Sequence, residues 1–361
     1  MKISSVNKLV SQMKKDGFDA VLICPSEELK YFTGNTLMMC KRFQGLVIKS
    51  DSSAFYICNT LYKGEVEKNL SGIKLYTWFD SEDMPDSVGK ILIGEGLHGK
   101  KVGVNSAAPA YWILDITRTA GITFVNAMPT FEEMRVIKTD EELVNLQKAA
   151  DISDAVFDKV VRYIRHGLKE ADIRNFLLTE MEKLGGTGAW AIVACKPNCS
   201  YPHYSGTDGV VCTQDVVLLD FGCIYNDMRS DMSRMVFVGG ISDKEREVYE
   251  ICRKATKAGQ DACFEGAYIP NIDAAARNII SDAGYGDYFE YRVGHGIGYM
   301  IHEEPYIKVS NTRYLEKGMV FSIEPGINIP GEFGMRVENI VAITSNGTEI
   351  LNKSSDEIII V

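Results

Sequence analysis

No apolar run in the chain approaches the ~20 residues a membrane-spanning helix needs, which excludes an integral helical membrane protein. A basic excess is missing too. With 39 Lys and Arg against 49 Asp and Glu the formal net charge is −10, whereas a nucleic-acid footprint needs a basic patch or stripe. That charge bears on solubility and steering and says nothing positive about a substrate. There is no repeat of solenoid type and no low-complexity segment, so the chain must build ordinary closed cores. Cysteines do not come in an even set: the nine are scattered from Cys24 to Cys263. Several fall inside apolar strands, Cys24 in AVLIC and Cys58 in FYICN. This is how a reduced chain uses cysteine as a small hydrophobe. The opening MKISSVNKLVSQMKKDGF alternates charge with apolar residues at helical spacing, unlike the apolar core of a signal peptide. The expectation is a soluble, cytoplasmic protein that takes neither membrane nor nucleic acid as partner.

The 361 residues, 45% of them hydrophobic, give enough material for two domains with sizeable cores. Residues 1–127 alternate helix-like and strand-like segments. An amphipathic helix from Val6 to Lys15 precedes DAVLIC, and GLVIKS and SAFYICN flank a turn at Lys49–Ser52. IKLYTWF, KKVGVNS and ITFVNA read as further strands, so this part is expected to be an α/β domain. A boundary is expected near Pro129, leaving 128–361 as the second domain. There, Thr139 with Glu142 and Ser242 with Glu245 form capping boxes that start helices. Further helices are expected over Ala171–Lys183 and from Pro270 through Ile280, with strand-rich segments between and after them. The second domain is therefore expected to be α+β, its antiparallel sheet carrying the chemistry.

Two of the strand-rich segments carry paired acids. In VVLLDFGCIYNDMRSDMSRMVFVGG, folding about Tyr225-Asn226 sets Asp220 opposite Asp231. In GMVFSIEPGINIPGEFGMRVENIVAI, folding about Gly331 sets Glu324 opposite Glu338. Like charges directly opposite on a hairpin are destabilising, and two such pairs in apolar surroundings call for cations between them. Blander roles exist for each acid alone: Asp220 as a turn residue, Asp231 paired with Arg229 or Arg234, Glu338 paired with Arg336. Two facing pairs together are harder to dismiss. Of five histidines, His203, His295 and His302 fall in Gly/Pro-rich segments, and His295 stands between glycines in RVGHGIGYMIHEEP. His98 and His166 lack such a setting and are expected at the surface. Four carboxylates and an imidazole make a hard, oxygen-rich donor set suited to Mn²⁺, Co²⁺, Fe²⁺ or Zn²⁺ rather than to a thiolate zinc site. Paired divalent ions activate water and stabilise a tetrahedral oxyanion. GEGLHGKK, which matches part of a P-loop and a GxGxxG, has Lys101 where a P-loop needs Ser or Thr, and leads into a strand. It is expected to be a surface turn. Cys195 and Cys199 have no second pair to complete a zinc tetrad.

Over nearly its whole length the chain resembles the pita-bread metallopeptidases, in the prolidase and aminopeptidase P branch that also includes creatinase. DFG…SDMSR, GHGIG…HEEP, SIEPGI and RVEN stand in that family's order, and YFTGN matches a motif of its smaller amino-terminal domain. The resemblance implies a pita-bread catalytic domain holding two divalent ions, Mn²⁺ or Co²⁺ before Zn²⁺ or Fe²⁺. It implies Asp220 on one metal, Asp231 and Glu338 bridging both, and His295 and Glu324 on the other. The nucleophile would be a bridging hydroxide, with Glu324 as its proton shuttle and His203 and His302 stabilising the tetrahedral intermediate. The implied substrate is a short proline-containing peptide, cut at its Xaa-Pro bond, and the implied assembly is a homodimer. The chain departs from the pattern in three places. Asn339 follows Glu338 where aspartate is usual. Tyr306 stands where many prolidases carry an arginine that binds a dipeptide's carboxylate, leaving Arg336 as a further candidate for substrate binding. CKPNCS before His203 is unusual and would reshape the substrate pocket. Creatinase-like hydrolysis of a small-molecule C–N bond and a non-catalytic binding role are the competing readings.

Overall fold

All six apolar segments of the first third become strands of one mixed sheet in the computed structural model, which describes residues 1–361. Two units separate at Arg135/Val136. The first runs α1 (Ile3–Asp16), β1 (Ala20–Ile23), α2 (Glu27–Thr33), β2 (Gly45–Lys49), β3 (Ala54–Asn59), α3 (Lys63–Asn69) and β4 (Lys74–Trp78). It continues through α4 (Met84–Gly94), β5 (Lys101–Val104), α5 (Ala110–Ala120), β6 (Thr123–Asn126) and α6 (Met128–Arg135). The strand order is β4-β3-β2-β1-β5-β6, with β1–β2 and β2–β3 antiparallel and the other three pairs parallel. The division falls after α6, so the expected boundary moves by that helix. Thr130 in α6 donates to Asp16 at the end of α1 at 2.6 Å, and Arg135 reaches buried Glu28 at 3.6 Å. These bonds place α6 with the first unit. The GEGLHGKK segment ends α4 and enters β5, a connection and not a phosphate cradle.

The second unit begins with α7 (Asp140–Tyr163) and α8 (Glu170–Lys183), then β7 (Thr187–Ala194), β8 (Asp215–Tyr225), β9 (Met228–Arg229) and β10 (Met232–Val238). α9 (Asp243–Asp261) and α10 (Ile269–Asp282) precede β11 (Gly294–Gly296), β12 (Glu303–Ile307), β13 (Val320–Ile323), β14 (Gly326–Ile329), β15 (Phe333–Arg336), β16 (Asn339–Thr344) and β17 (Gly347–Ile350). Both expected capping boxes are formed, with Thr139 and Ser242 accepting from the backbone N–H of Glu142 and Glu245. The sheets are antiparallel: β10-β8-β7, β12-β11-β13-β16-β17 and the β14-β15 ribbon. β8 is apolar on both sides because it is buried on both. Val217, Leu219 and Phe221 pack with Val156, Val160 and Leu177 of α7 and α8. Val216 and Leu218 pack with Val248, Cys252 and Ile272 of α9 and α10. A charged side chain in that run is therefore costly unless something compensates it. All nine cysteines are free and seven are buried, as small hydrophobes would be. No helix is long and apolar enough to cross a membrane.

Candidate metal centre

Hairpin register delivers the acids. β13 with β16 and β14 with β15 share one register, Ile323↔Asn339 on one side of the Pro325 break and Gly326↔Arg336 on the other. Glu324 is thus opposite Glu338, and the ribbon turns at Gly331 with φ +75°. The first hairpin differs from expectation by two residues. Ser233, not Asp231, is opposite Asp220, and the turn is centred on Asn226-Asp227 at φ +45° and +68°. A type I′ two-residue hairpin turn needs positive φ at both central positions, which Asn and Asp tolerate. Because side chains alternate with period two, this slip leaves Asp231 on the face of Asp220 as its diagonal neighbour.

His295 enters the same space from β11. A Cβ at Gly294 would stand 1.8 Å from the Ser322 carbonyl oxygen, and one at Gly296 would stand 2.3 Å from that of Glu304. Only glycine on both sides lets the neighbouring backbones close on His295. Its backbone N–H donates to Ser322 Oγ at 3.0 Å, and its Nδ1 lies 3.1 Å from the Gly296 carbonyl. That leaves Nε2 turned toward the acids, 3.2 Å from Glu324 Oε1 and 3.7 Å from Asp231 Oδ2. Donor atoms of Asp231, His295 and Glu338 lie within 4.8 Å of one another, and all three residues are buried.

The charges are poorly compensated by protein alone. Burial pushes Asp231 and Glu338 well above the carboxylate range, and the neighbouring acids push both further. Burial raises Asp220 as well, against the pull of Arg336. Glu324 ends below its ordinary value: burial would raise it, but its hydrogen bond to His295 and the charges of His295, Arg336 and Arg292 win. Asp220 Oδ1, Asp231 Oδ1 and Glu338 Oε1 are buried with no hydrogen-bond partner. Such groups are rare in folded proteins, and the Asp231 and Glu338 carboxylates clustered with the His295 imidazole, with Asp220 lining the same cavity, fit divalent cations.

Around the acids is a cavity of about 890 Å³, within the size range of small-ligand sites. Its lining includes all the expected residues: His203, Asp220, Asp231, His295, His302, Tyr306, Glu324, Arg336 and Glu338. His302 packs edge-to-face on His295, ring centroids 4.3 Å apart. Its pKa is pushed down to about 4 by burial and by the charges of His295 and Arg292. Its imidazole is therefore neutral near pH 7. His98 and His166 are exposed and away from the cavity.

Two expectations change here. Arg336 is committed to the protein and not to a ligand: NH2 donates to Asp220 at 2.5 Å, Nε to Ser233 at 2.9 Å and NH1 to the Pro202 carbonyl at 3.2 Å. Ser233 in turn donates to Glu338 at 2.7 Å. The arginine thus pins two acids, because the register turns its side chain under them. CKPNCS does not line the cavity. Cys195 N–H and Asn198 Nδ2 bind buried Glu170, so the segment anchors the loop that leads to His203. Asn339 accepts from buried Arg234 at 2.7 Å, away from the donor oxygens.

Sequence reasoning missed Trp190, Ile192, Tyr291 and Arg292, all of which line the cavity. Trp190 and Ile192 alternate along β7 opposite Gly222 and Asp220, a signal readable once that pairing is known. Arg292 stands alone as a charge three residues before His295 in YRVGH.

The chain matches the family model of metallopeptidase family M24 over residues 144–345 and the creatinase/prolidase N-terminal domain over residues 6–137. It is 31% identical to an Xaa-Pro dipeptidase of Pyrococcus horikoshii over 98% of both chains. Its fold is similar to that of a recombinant prolidase from Thermococcus sibiricus, with a TM-score of 0.92, 32% identity and coverage of 99% of this chain and 98% of that one. An X-Pro aminopeptidase from Thermotoga maritima is similar at a TM-score of 0.84 and 28% identity, over 99% of both chains.

Proposed function

The chain belongs to metallopeptidase family M24, and from that membership and the site's geometry we propose that it hydrolyses the Xaa-Pro bond of dipeptides or of peptide N-termini. The observation that carries this reading is the convergence of Asp231, His295 and Glu338 with Glu324 and Asp220 in one cavity. Asp220, Asp231, His295, Glu324 and Glu338 would hold two divalent ions, which supply water activation and charge stabilisation. Mn²⁺ or Co²⁺ suits the oxygen-rich donor set.

Glu324 is the proton carrier. It lies 3.2 Å from His295 Nε2, and its lowered pKa keeps it a carboxylate able to accept a proton from water. Protonated, it donates to the leaving nitrogen. His302, neutral near pH 7, and His203 on the facing loop present ring N–H groups where the carbonyl oxygen gains charge. The apolar walls from Trp190, Ile192 and Ile301 face the substrate's side chains and exclude water. A cytoplasmic location is supported by nine free cysteines; the homodimer rests on the family resemblance.

The test is hydrolysis of Ala-Pro and Ala-Pro-Ala by protein stripped of metal and resupplied with Mn²⁺, Co²⁺ or Zn²⁺. Cleavage of either at the Xaa-Pro bond, abolished by chelation, is the expected result. Metal-loaded protein that cleaves neither would end the peptidase reading and turn the search to non-peptide C–N bonds.

A further inference from the structure

Four cations line the cavity: Arg229, Arg292, Lys308 and Arg336. Arg336 is held by Asp220, Ser233 and Pro202, and Arg229 donates to the Tyr299 carbonyl at 2.9 Å. Lys308 is exposed. Arg292 is different. It is half-buried, and its Nε is fully buried with no hydrogen-bond partner. Its guanidinium rests 5.0 Å from the centre of the Tyr306 ring, and Lys308 Nζ lies 5.4 Å from the same ring.

Backbone bonds fix that arrangement. Val293 N–H donates to the Ile307 carbonyl at 3.0 Å, which sets Arg292 beside β12. Tyr306 is held by its own N–H to Glu304 and by Asn311 on its carbonyl. An aromatic face orients a guanidinium without using its N–H donors. Those donors stay free for a planar anion, and arginine's fork matches a carboxylate in two bonds. An arginine at half-burial without a bonded acid is an unfinished site.

We propose that Arg292 is the carboxylate anchor of this cavity, so that the preferred substrate is a dipeptide with a free C-terminal carboxylate. The inference rests on the Xaa-Pro peptidase reading above and names its substrate class. Tyr306 takes the place of the arginine expected at its position and serves as the platform that holds Arg292. The acids that would hold metal and the guanidinium line the same cavity, so a dipeptide's amino-side carbonyl and its carboxylate can each meet opposite charge.

The experiment compares kcat and KM for Ala-Pro and its C-terminal amide, Ala-Pro-NH2, in metal-loaded wild type, Arg292→Gln and Arg292→Lys. Thermal melting of each variant checks folding. A guanidinium–carboxylate pair is a strong charge-assisted interaction, so the wild type is expected to favour the acid by about 10- to 100-fold in kcat/KM. Arg292→Gln should collapse that preference toward unity through KM on the acid, and Arg292→Lys should restore part of it. Adding Tyr306→Arg to Arg292→Gln should bring the preference back from the neighbouring position. If Arg292→Gln keeps the acid preference, the anchor is another group and the inference falls. If it lowers kcat on acid and amide alike, Arg292 only screens Glu324, and the inference falls as well. A wild type that cleaves the amide and Ala-Pro-Ala as well as the acid overturns the inference but leaves the peptidase reading standing. Failure to cleave any of the three overturns both.

Discussion

Glu324 and His302 touch in function but differ in what each should cost when removed. Glu324 accepts from Ser322 at 3.2 Å and lies equally close to His295 Nε2, and in the proposed mechanism it serves as both a metal-type donor and a base. Glu324→Gln keeps the side chain's shape and removes the base. Turnover of an Xaa-Pro substrate should fall by roughly 10³-fold or more, within the usual range for general acid–base groups. The metal-free variant should melt below the wild-type temperature near pH 7, because the ionised Glu324 is held below its ordinary pKa by His295, Arg336 and Arg292 and that stabilisation is lost. His302 is not among the metal-type donors, and its pKa of about 4 makes it a neutral donor near pH 7. His302→Ala should lower kcat by about 10²-fold, as loss of one oxyanion donor does, while metal content measured by emission spectrometry stays at the wild-type value. Unchanged turnover in His302→Ala would remove its assigned role.

At the scale of elements, the sequence...GHGIGYMIHEEP... must hold its histidines on a short strand and a loop rich in glycine. What fixes that loop lies far away in the chain. Lys138, just before α7, puts its ammonium 2.6 Å from Glu303 Oε1, and both side chains are almost wholly buried. The other oxygen of Glu303 accepts from Met300 N–H at 3.2 Å. Removing one partner of a buried ion pair strands the other charge, at a cost of about 3–5 kcal/mol. Lys138→Met should therefore lower the unfolding free energy obtained from chemical denaturation by an amount in that range. The double replacement Lys138→Met with Glu303→Leu should recover much of it, since neither charge is then stranded. A single variant as stable as the wild type would show that the pair does not hold this loop.

For the whole molecule, the acidic cluster makes stability depend on pH and on metal together. Folding raises the pKa of Asp231 and Glu338 through burial and mutual repulsion. The metal-free fold therefore favours their neutral forms. This contribution is complete below the ordinary carboxylate pKa of about 4 and is lost as pH rises through the higher folded values. Divalent ions replace those protons, and their binding must release them. The stabilisation by saturating Mn²⁺ should be larger at pH 8 than at pH 5, measured as the shift in denaturation midpoint between metal-free and loaded protein. A larger shift at pH 5 would contradict the account.

Periodicity along single segments was enough for much of this protein. Period two and a glycine turn placed Glu324 opposite Glu338, two capping boxes set the starts of α7 and α9, and glycines on both sides marked His295. These features are local, fixed by residues within about ten positions of each other. Other features were decided between segments far apart in the chain. The turn at Asn226-Asp227 shifted the partner of Asp220 to Ser233. Packing on α1 claimed α6 for the first unit. Arg336 went to Asp220, while Arg292 was left facing the cavity. The direction of a side chain relative to another strand depends on register and on which acid reaches it first, and neither is written in the residues on either side of it. Sequence determined which donors this site has; the tertiary structure decided which cation is spoken for and which is free to meet a substrate.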